Sequence, residues 1–189
     1  MASKQFRPKY VKRIFVQEKE IEAAITKAAK WIEKNYKNCK KPPILISILK
    51  GAVPFYCKTA MNIHMDVEFD FIVLSSFRGQ MKALTAPKIV TDLCSDIHGR
   101  DVIVLEDVID TARTLKVLID YLKLRKPHSI KTMCLVDKPD KRMVKFKVDY
   151  SCFSIKGDPF LIGYGLDIKE LARNLPYIAE FDKKYLNKI

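Results

Sequence analysis

The chain has 189 residues, 48% of them hydrophobic and 10% aromatic, which is enough to bury a core and excludes a disordered protein. Its 35 basic and 22 acidic residues give a formal net charge of +13, which suits nucleic acid, a membrane surface or a phosphorylated small molecule. The lysines are scattered, so charge does not choose among these partners. Five cysteines without CxxC spacing, short apolar stretches and no apolar N-terminal region predict a reduced, soluble, cytoplasmic protein with no membrane partner.

Helix and strand patterns alternate in the first half of the chain. Apolar residues at helical spacing predict a helix from about residue 18 to 38, which Pro42 and Pro43 end. The runs ILISIL (44–49) and VEFDFIVL (67–74) predict strands, and AVPFYCKTAMNI between them predicts a second helix. The stretch after the second strand fits neither periodicity and begins as a long exposed loop.

The second half continues the alternation. The run VIVLEDV (102–108) predicts a strand, and an amphipathic helix follows it up to Lys126 and Pro127. Further strands are predicted for SIKTMCLVD (129–137), VDYSCFSI (148–155) and FLIGYGL (160–166). This order predicts one α/β domain with a mainly parallel twisted sheet flanked by helices, in which ligands bind at the carboxyl ends of the strands.

An acidic cluster follows the strand VIVL directly. Glu106, Asp107 and Asp110 would repel one another unless a ligand or a metal ion lies between them. The next helix begins at about 111–114, where unpaired backbone N–H groups and two threonine hydroxyls can cradle a phosphate. Sugar hydroxyls or a hydrated Mg²⁺ would then meet the carboxylates. Capping of the helix by Asp110 or Thr111 is the simpler explanation, but it does not account for three acids in five residues.

The stretch LEDVIDTARTL resembles the phosphoribosyl diphosphate (PRPP) signature of the type I phosphoribosyltransferases, in the form of their hypoxanthine-guanine branch. Five further stretches of the chain resemble other motifs of this family and follow the order that the motifs have there. They are LKGAVPF (49–55), SSF (75–77), VDKP (136–139), FLIGYGLD (160–167) and RNLPYI (173–178). The resemblance implies a type I phosphoribosyltransferase fold in one domain, 1–189. Its core would span about 40–150, and a small hood would be formed by the N-terminal segment and about 151–189.

The resemblance also implies a purine salvage reaction, in which hypoxanthine or guanine and PRPP give IMP or GMP and pyrophosphate. Asp110 would be the general base at purine N7, because a nearby carboxylate can take the proton that ring nitrogen carries. Glu106 and Asp107 would face the ribose hydroxyls and the Mg²⁺ cofactor, and Asp167 would be a further metal carboxylate. Together with Asp110, the 5′-phosphate loop would comprise Thr111, Ala112, Arg113 and Thr114.

Two further groups of residues are implied for the ends of the substrates. Pyrophosphate contacts would come from Lys50, Gly51, Ser76, Phe77 and Arg173, and a cis peptide bond is often found in the segment of Lys50 and Gly51. Purine contacts would come from Lys138 to the 6-oxo group, Phe160 by stacking, Leu161 through its carbonyl, and Asp167. Small-molecule substrates and a homodimer or homotetramer are the implied partners, without nucleic acid.

Three departures from the family pattern stand out. Alanine replaces the usual glycine at Ala112, and we expect this residue to be right-handed, in the first turn of the helix, because φ > 0 would cost alanine about 1–2 kcal/mol. Phe77 replaces a usual tyrosine. The approach to the purine stack, FSIKGDPF, is about one residue longer than usual, which leaves the base preference open.

An RNA-binding regulator built on the same scaffold remains the main alternative. The charge of +13 favours it, whereas the set of Asp110, Lys138, Phe160 and Asp167 favours the enzyme. A nucleotide kinase is a weak third hypothesis, because the sequence has no GxxxxGK[ST] loop.

Overall fold

The computed structural model describes residues 6–75 and 88–189. The pyrophosphate contacts predicted for Ser76 and Phe77 lie outside the described residues. In chain order the elements are β1 (Val11–Val16), α1 (Glu18–Tyr36), β2 (Ile44–Leu49), α2 (Val53–Met61), β3 (Glu68–Ser75), β4 (Lys88–Thr91), β5 (Asp101–Ile109), α3 (Arg113–Lys123), β6 (Ser129–Asp137), β7 (Tyr150–Ser154), β8 (Leu161–Ile162) and β9 (Ile178–Phe181). Short 3₁₀ turns follow at Pro139–Lys141 and Lys183–Tyr185.

The larger sheet has six strands in the order β4-β3-β2-β5-β6-β7. Neighbouring strands are parallel except for β4, which pairs antiparallel with β3. The predicted α/β class with a mainly parallel sheet is therefore confirmed. Because β2, β5 and β6 run in the same direction, their carboxyl ends meet along one edge of the sheet, and the acidic cluster at the end of β5 lies on that edge.

Alternating side chains of the central strands pack on the two faces of the larger sheet. Leu45 of β2 and Ile103 of β5 pack on one face against α1 and α2, whose apolar side chains belong to the same buried cluster. Ile46 and Val104 point to the other face and pack against the buried stripe of α3. Burial on both faces explains why these strands read as continuous apolar runs in the sequence.

A second, three-stranded antiparallel sheet joins the two ends of the chain in the order β1-β9-β8. Val11 pairs with Phe181 and Val16 with Ile178. The periodicity did not predict β1 or β9. The predicted strand 160–166 is also wrong in extent, because β8 covers only Leu161–Ile162 and positive φ angles at Gly163, Tyr164 and Gly165 turn the chain directly after it.

The expectation of a right-handed Ala112 is wrong. Ala112 precedes α3 with φ 59° and ψ 7°, which is the left-handed conformation. Its methyl group is buried, 5% exposed, within the cluster that α3 forms with the sheet. Burial of the methyl group therefore offsets part of the conformational cost that the left-handed region imposes on alanine.

We expect Ala112→Gly to change the free energy of unfolding by less than about 1 kcal/mol. Relief of about 1–2 kcal/mol of backbone strain is balanced by the lost burial of about 0.8 kcal/mol and by the greater entropy of glycine in the unfolded chain. Urea denaturation measures the change. Ala28→Gly, at a fully buried position inside α1, is the matched control and should cost about 2 kcal/mol. An equal loss in both variants would contradict the left-handed conformation.

All five cysteines are free thiols. Within residues 6–75 and 88–189, no helix is both long enough and apolar enough to cross a membrane.

Candidate active site

Two adjoining cavities open at the carboxyl edge of the larger sheet. The first has a volume of about 560 Å³ and contains the ends of β2 and β5, the start of α3, and the turn that holds Asp167 and Arg173. The second has a volume of about 360 Å³ and lies against Lys138 and Phe160. Both cavities are lined by Asp107, Val108, Asp110 and Asp167. A ligand with two chemically different ends could therefore occupy both at once.

Glu106 and Asp107 lie next to each other near the carboxyl end of β5, with their carboxyl groups close together. The backbone N–H of Asp107 donates to Glu106 Oε1 at 3.3 Å, and that of Val108 donates to Asp107 Oδ1 at 2.7 Å. Burial raises the pKa of Glu106 well above its usual value, and the neighbouring Asp107 raises it further. The pair is therefore unfavourable as two bare anions, and a cation or hydroxyl donors would stabilise it.

We expect Glu106→Gln to stabilise the ligand-free protein at neutral pH, by on the order of 1 kcal/mol. A raised pKa in the folded state means that the stability Glu106 contributes is present below its unfolded pKa, near 4, and is lost as pH rises. Glutamine keeps the acceptor for Asp107 N–H and carries no charge. Urea denaturation of both proteins at several pH values between 4 and 8 should show a difference that grows with pH.

Glu180→Gln is the control, and its stability relative to the unaltered protein should change with pH in the opposite direction. Lys12 and Arg13 bind the Glu180 carboxylate at 2.8 and 2.9 Å, and the hydrogen bond from Lys12 lowers its pKa. The stability from Glu180 is therefore present above its unfolded pKa and lost as pH falls, so that this variant should become relatively less stable as pH rises. The same pH trend in both variants would contradict the difference between the two sites.

Asp110 lies where the two cavities meet, directly beside Lys138. Asp110 Oδ1 is buried and, among the described residues, has no hydrogen-bond partner, whereas Lys138 Nζ lies 3.5 Å from it. Lys138 is only 4% exposed, and its ammonium group donates to the Pro159 carbonyl at 2.9 Å. A buried carboxylate oxygen without a donor is costly unless a ligand supplies one, so Asp110 is placed to accept a proton or a hydrogen bond.

The start of α3 forms the floor of the first cavity. Thr111, Ala112 and Thr114 line it, and the backbone N–H of Arg113 approaches Thr111 Oγ1 at 3.4 Å. The Arg113 side chain is exposed and is not part of the lining. Backbone N–H groups and threonine hydroxyls at the positive end of a helix suit a phosphate group, as the sequence predicted.

A network of opposite charges lies across the first cavity from α3. Lys50 Nζ binds Glu170 at 3.1 Å, and Arg173 Nη2 binds Glu170 at 3.2 Å and Asp167 at 3.0 Å. The other Asp167 oxygen accepts from Glu170 N–H at 2.9 Å. The peptide bond between Leu49 and Lys50 is cis. Lys50 and Arg173 thus converge on the Glu170 carboxylate, and another anionic group could take its place between them.

Gly51 brings this loop into close contact with β5. A Cβ atom at Gly51 would lie 1.7 Å from Asp107 Oδ2, and one at Gly165 would lie 1.9 Å from the Gly51 carbonyl oxygen. Three segments therefore meet here with no room for a side chain. The position of Asp107 depends directly on the absence of a methyl group at Gly51.

The second cavity combines a basic floor with an aromatic wall. Phe160 is 41% exposed, and its ring contacts Phe181 edge-on with centroids 5.8 Å apart. Leu161 is buried behind it. Asp158 lies 3.8 Å from Lys138 and also pairs with Lys141. A flat ring could stack on Phe160 while Lys138 donates to its edge.

The carboxylates of the site fit a magnesium ion held jointly with substrate. Within the described parts of the chain, no three His, Cys, Asp or Glu side chains gather closely enough to form a metal site alone. Mg²⁺ commonly takes one or two carboxylates and completes its shell with water and substrate oxygens. The crowded pair of Glu106 and Asp107 matches that donor set, whereas both Asp167 oxygens already accept from protein groups.

Sequence reasoning missed several residues that line or support the cavities: Arg142, Asp158, Glu170 and Lys183. Glu170 lies three residues from Arg173 and Arg142 four residues from Lys138, so proximity to a motif was the available signal. In a chain with 35 basic and 22 acidic residues, the charge of a single glutamate or arginine was not enough to identify it as part of the site.

The fold and the site define the class of protein. The chain matches the family model for the phosphoribosyl transferase domain over residues 14–169, and it belongs to that family. It is 40% identical over 178 residues to the hypoxanthine-guanine phosphoribosyltransferase of Streptococcus pyogenes serotype M3, covering 94% of this chain and 97% of the relative.

Solved structures agree with this assignment. The fold is similar to a hypoxanthine phosphoribosyltransferase from Staphylococcus aureus, with a TM-score of 0.86, 32% identity, and coverage of 93% of this chain and 94% of that one. It is also similar to the hypoxanthine phosphoribosyl transferase of Trypanosoma cruzi, with a TM-score of 0.90, 31% identity and 97% coverage of both chains. The type I phosphoribosyltransferase fold predicted from the motifs is confirmed.

Proposed function

We propose that this protein is a purine salvage enzyme that transfers the 5-phosphoribosyl group from PRPP to hypoxanthine or guanine. The products are IMP or GMP and pyrophosphate. The observation that carries the proposal is the buried Asp110 Oδ1 at the junction of two cavities, which accepts no hydrogen bond from the described residues and lies 3.5 Å from the Lys138 ammonium. The first cavity suits phosphate groups and the second suits a flat base. The transferred ribose would therefore lie between them, beside Asp110.

The purine would bind in the second cavity. Its ring stacks on Phe160, and Lys138 donates to the 6-oxo group, with the Leu161 carbonyl and Asp167 meeting the 2-position. Lys138 has three N–H donors, one of which the Pro159 carbonyl already accepts. An ammonium donor favours a 6-oxo acceptor over the 6-amino donor of adenine, because two donors facing each other leave both unpaired.

PRPP would bind in the first cavity. The backbone N–H groups from Thr111 to Thr114 hold the 5′-phosphate, and Lys50, Gly51 and Arg173 hold the pyrophosphate, with Ser76 and Phe77 proposed to complete that site. Glu106 and Asp107 face the ribose hydroxyls and the Mg²⁺ that accompanies PRPP. Asp167 would join the metal ion after Arg173 turns from it to the pyrophosphate. When bound, Mg²⁺ neutralises charge on the departing pyrophosphate.

Asp110 would carry the proton transfer. Its carboxylate accepts the proton from N7 of the purine as N9 forms the bond to the ribose C1 and the bond from C1 to pyrophosphate breaks, so that no positive charge remains on the base. The Lys138 ammonium lies 3.5 Å from Asp110 Oδ1 and can orient the carboxylate towards the purine. Lys138 would therefore position both the purine and the Asp110 carboxylate.

A single spectrophotometric experiment tests the proposal. The protein is incubated with PRPP and Mg²⁺ and with hypoxanthine, guanine, xanthine or adenine in turn. We expect nucleotide and pyrophosphate from hypoxanthine and guanine, and none from adenine. No turnover of either 6-oxopurine would refute the proposal. The xanthine reaction shows whether the longer 154–159 approach relaxes the choice of base.

The net charge of +13 favours an RNA-binding regulator as the second candidate. Titration with RNA over a salt series separates the two, since a regulator would lose affinity steeply with salt and would bind without PRPP. We further propose that the enzyme is cytoplasmic and that it forms a homodimer or a homotetramer. Sedimentation of the purified protein would show the number of subunits.

A further inference from the structure

Arg142 ties the segment after β6 to the loop that carries Asp110. Its Nη1 donates to the Ile109 carbonyl at 2.7 Å and to the Asp110 carbonyl at 2.5 Å, while its Nη2 pairs with the Asp137 carboxylate. The guanidinium is largely buried, with 16% of the side chain exposed. One planar group therefore bridges two consecutive carbonyls and the end of a strand.

Backbone contacts from the same segment continue this clamp. Lys138 N–H donates to the Ile109 carbonyl at 3.0 Å, and Met143 N–H donates to the Thr111 carbonyl at 3.1 Å. Three consecutive carbonyls, from Ile109 to Thr111, are thus bound by residues 138–143. The left-handed Ala112 follows immediately, so the loop is held just before its strained residue.

We infer that Arg142 is a positioning residue whose guanidinium holds the turn from Ile109 to Ala112 in the shape that presents Asp110 and the phosphate-binding N–H groups. This inference rests on the proposed function. Arg142 does not line either cavity, so it acts through the loop and not on the substrate. Without it, two carbonyls lose a charged donor, and Ala112 is free to relax towards the right-handed region that alanine prefers.

Arg142→Ala should therefore raise the KM for PRPP by about tenfold and lower kcat by about 10–100-fold, the scale of a misplaced catalytic group. A loss of folded protein alone would lower the apparent kcat and leave KM unchanged. Millimolar guanidinium should restore part of the activity of Arg142→Ala, because it can fill the vacated site between the carbonyls. Ammonium should not, since it lacks the planar fork.

Arg100→Ala is the matched control. Arg100 is also buried, with 12% of its side chain exposed, and its Nη2 donates to the Pro42 carbonyl at 2.7 Å and to Glu68 at 2.5 Å. It lies at the start of β5, the opposite end of the sheet from the cavities. Arg100→Ala should lose stability yet keep the KM for PRPP of the unaltered protein. Equal KM values for Arg142→Ala and Arg100→Ala would overturn the inference.

Two further measurements keep the result interpretable. If Arg142→Ala does not fold, Arg142→Lys takes its place in the experiment. Lysine keeps the positive charge but not the planar guanidinium, so the KM for PRPP should rise in this variant too, by a smaller factor. Calorimetric binding of ribose 5-phosphate needs no turnover and should weaken about tenfold in Arg142→Ala. If the unaltered protein turns over no 6-oxopurine but this binding still weakens, the proposed function fails alone. If the unaltered protein is active and neither KM nor binding changes, the inference fails alone.

Discussion

Asp110→Asn should lower kcat for hypoxanthine by about 10²–10⁴-fold while leaving PRPP binding largely intact. Asparagine keeps the size and one acceptor oxygen of Asp110 but cannot take a proton from N7. The Lys138 ammonium beside it also loses its negative partner at 3.5 Å, so purine affinity should fall modestly as well. Steady-state kinetics with varied PRPP and purine, together with calorimetric binding of PRPP, separate the two effects.

Asp120→Asn is the control for this substitution. Asp120 is an exposed residue of α3 that pairs with Lys116 one turn away and touches neither cavity. It should alter neither kcat nor the KM for PRPP, because exposed ion pairs contribute little. Turnover by Asp110→Asn at the rate of the unaltered protein would remove Asp110 from the role of general base.

Gly51→Ala should lower kcat/KM for PRPP by about 10²-fold, the loss expected from displacing a catalytic contact by about 1 Å. The new methyl group would lie 1.7 Å from Asp107 Oδ2, so the carboxylate must turn away. That oxygen belongs to a movable side chain, so the protein should still fold. The KM for PRPP should rise, since the displaced Asp107 is proposed to face the ribose and the metal ion.

Gly99→Ala is the control that tests whether a methyl group added at any glycine would lower kcat/KM for PRPP. Gly99 has a φ of 66° and nothing within 4 Å of an added Cβ, and it lies in the turn before β5, away from the cavities. Alanine there should cost about 1 kcal/mol of stability through its backbone conformation and leave kinetics unchanged. If Gly51→Ala retained full activity, the close approach to Asp107 would have no functional meaning.

The local hydrophobic pattern was sufficient to predict the strands that are buried on both faces of the sheet. The runs 44–49 and 129–137 were predicted with the bounds that β2 and β6 have, because burial on both faces selects a run of mostly apolar residues in each strand. The strand predicted at 160–166 failed because Gly163 and Gly165 adopt positive φ angles, which hydropathy does not reveal. Strands β1 and β9 are short and pair across the whole length of the chain, so neither has a strong local signal.

The site divides in the same way. The motifs that follow β5 and β6 identified Asp110 and Lys138, because their spacing along the chain is fixed by the strand ends. The prediction for Ala112 was wrong, because the carbonyls just before it are bound by residues 138–143, about thirty positions later, and local sequence does not show these contacts. Glu170 was missed for a similar reason, since its partner Lys50 is 120 residues away.

The antiparallel pairing of β1 with β9 has a consequence for mutations that truncate the chain. The Tyr10 ring lies 6.1 Å from that of Phe181, and the Phe181 ring lies 5.8 Å from that of Phe160. Three aromatic rings therefore connect both extremities of the polypeptide to the surface proposed to stack on the purine. A frameshift or nonsense mutation that removes β9 would take away the ring that supports Phe160 and would also delete Lys183, which lines the second cavity.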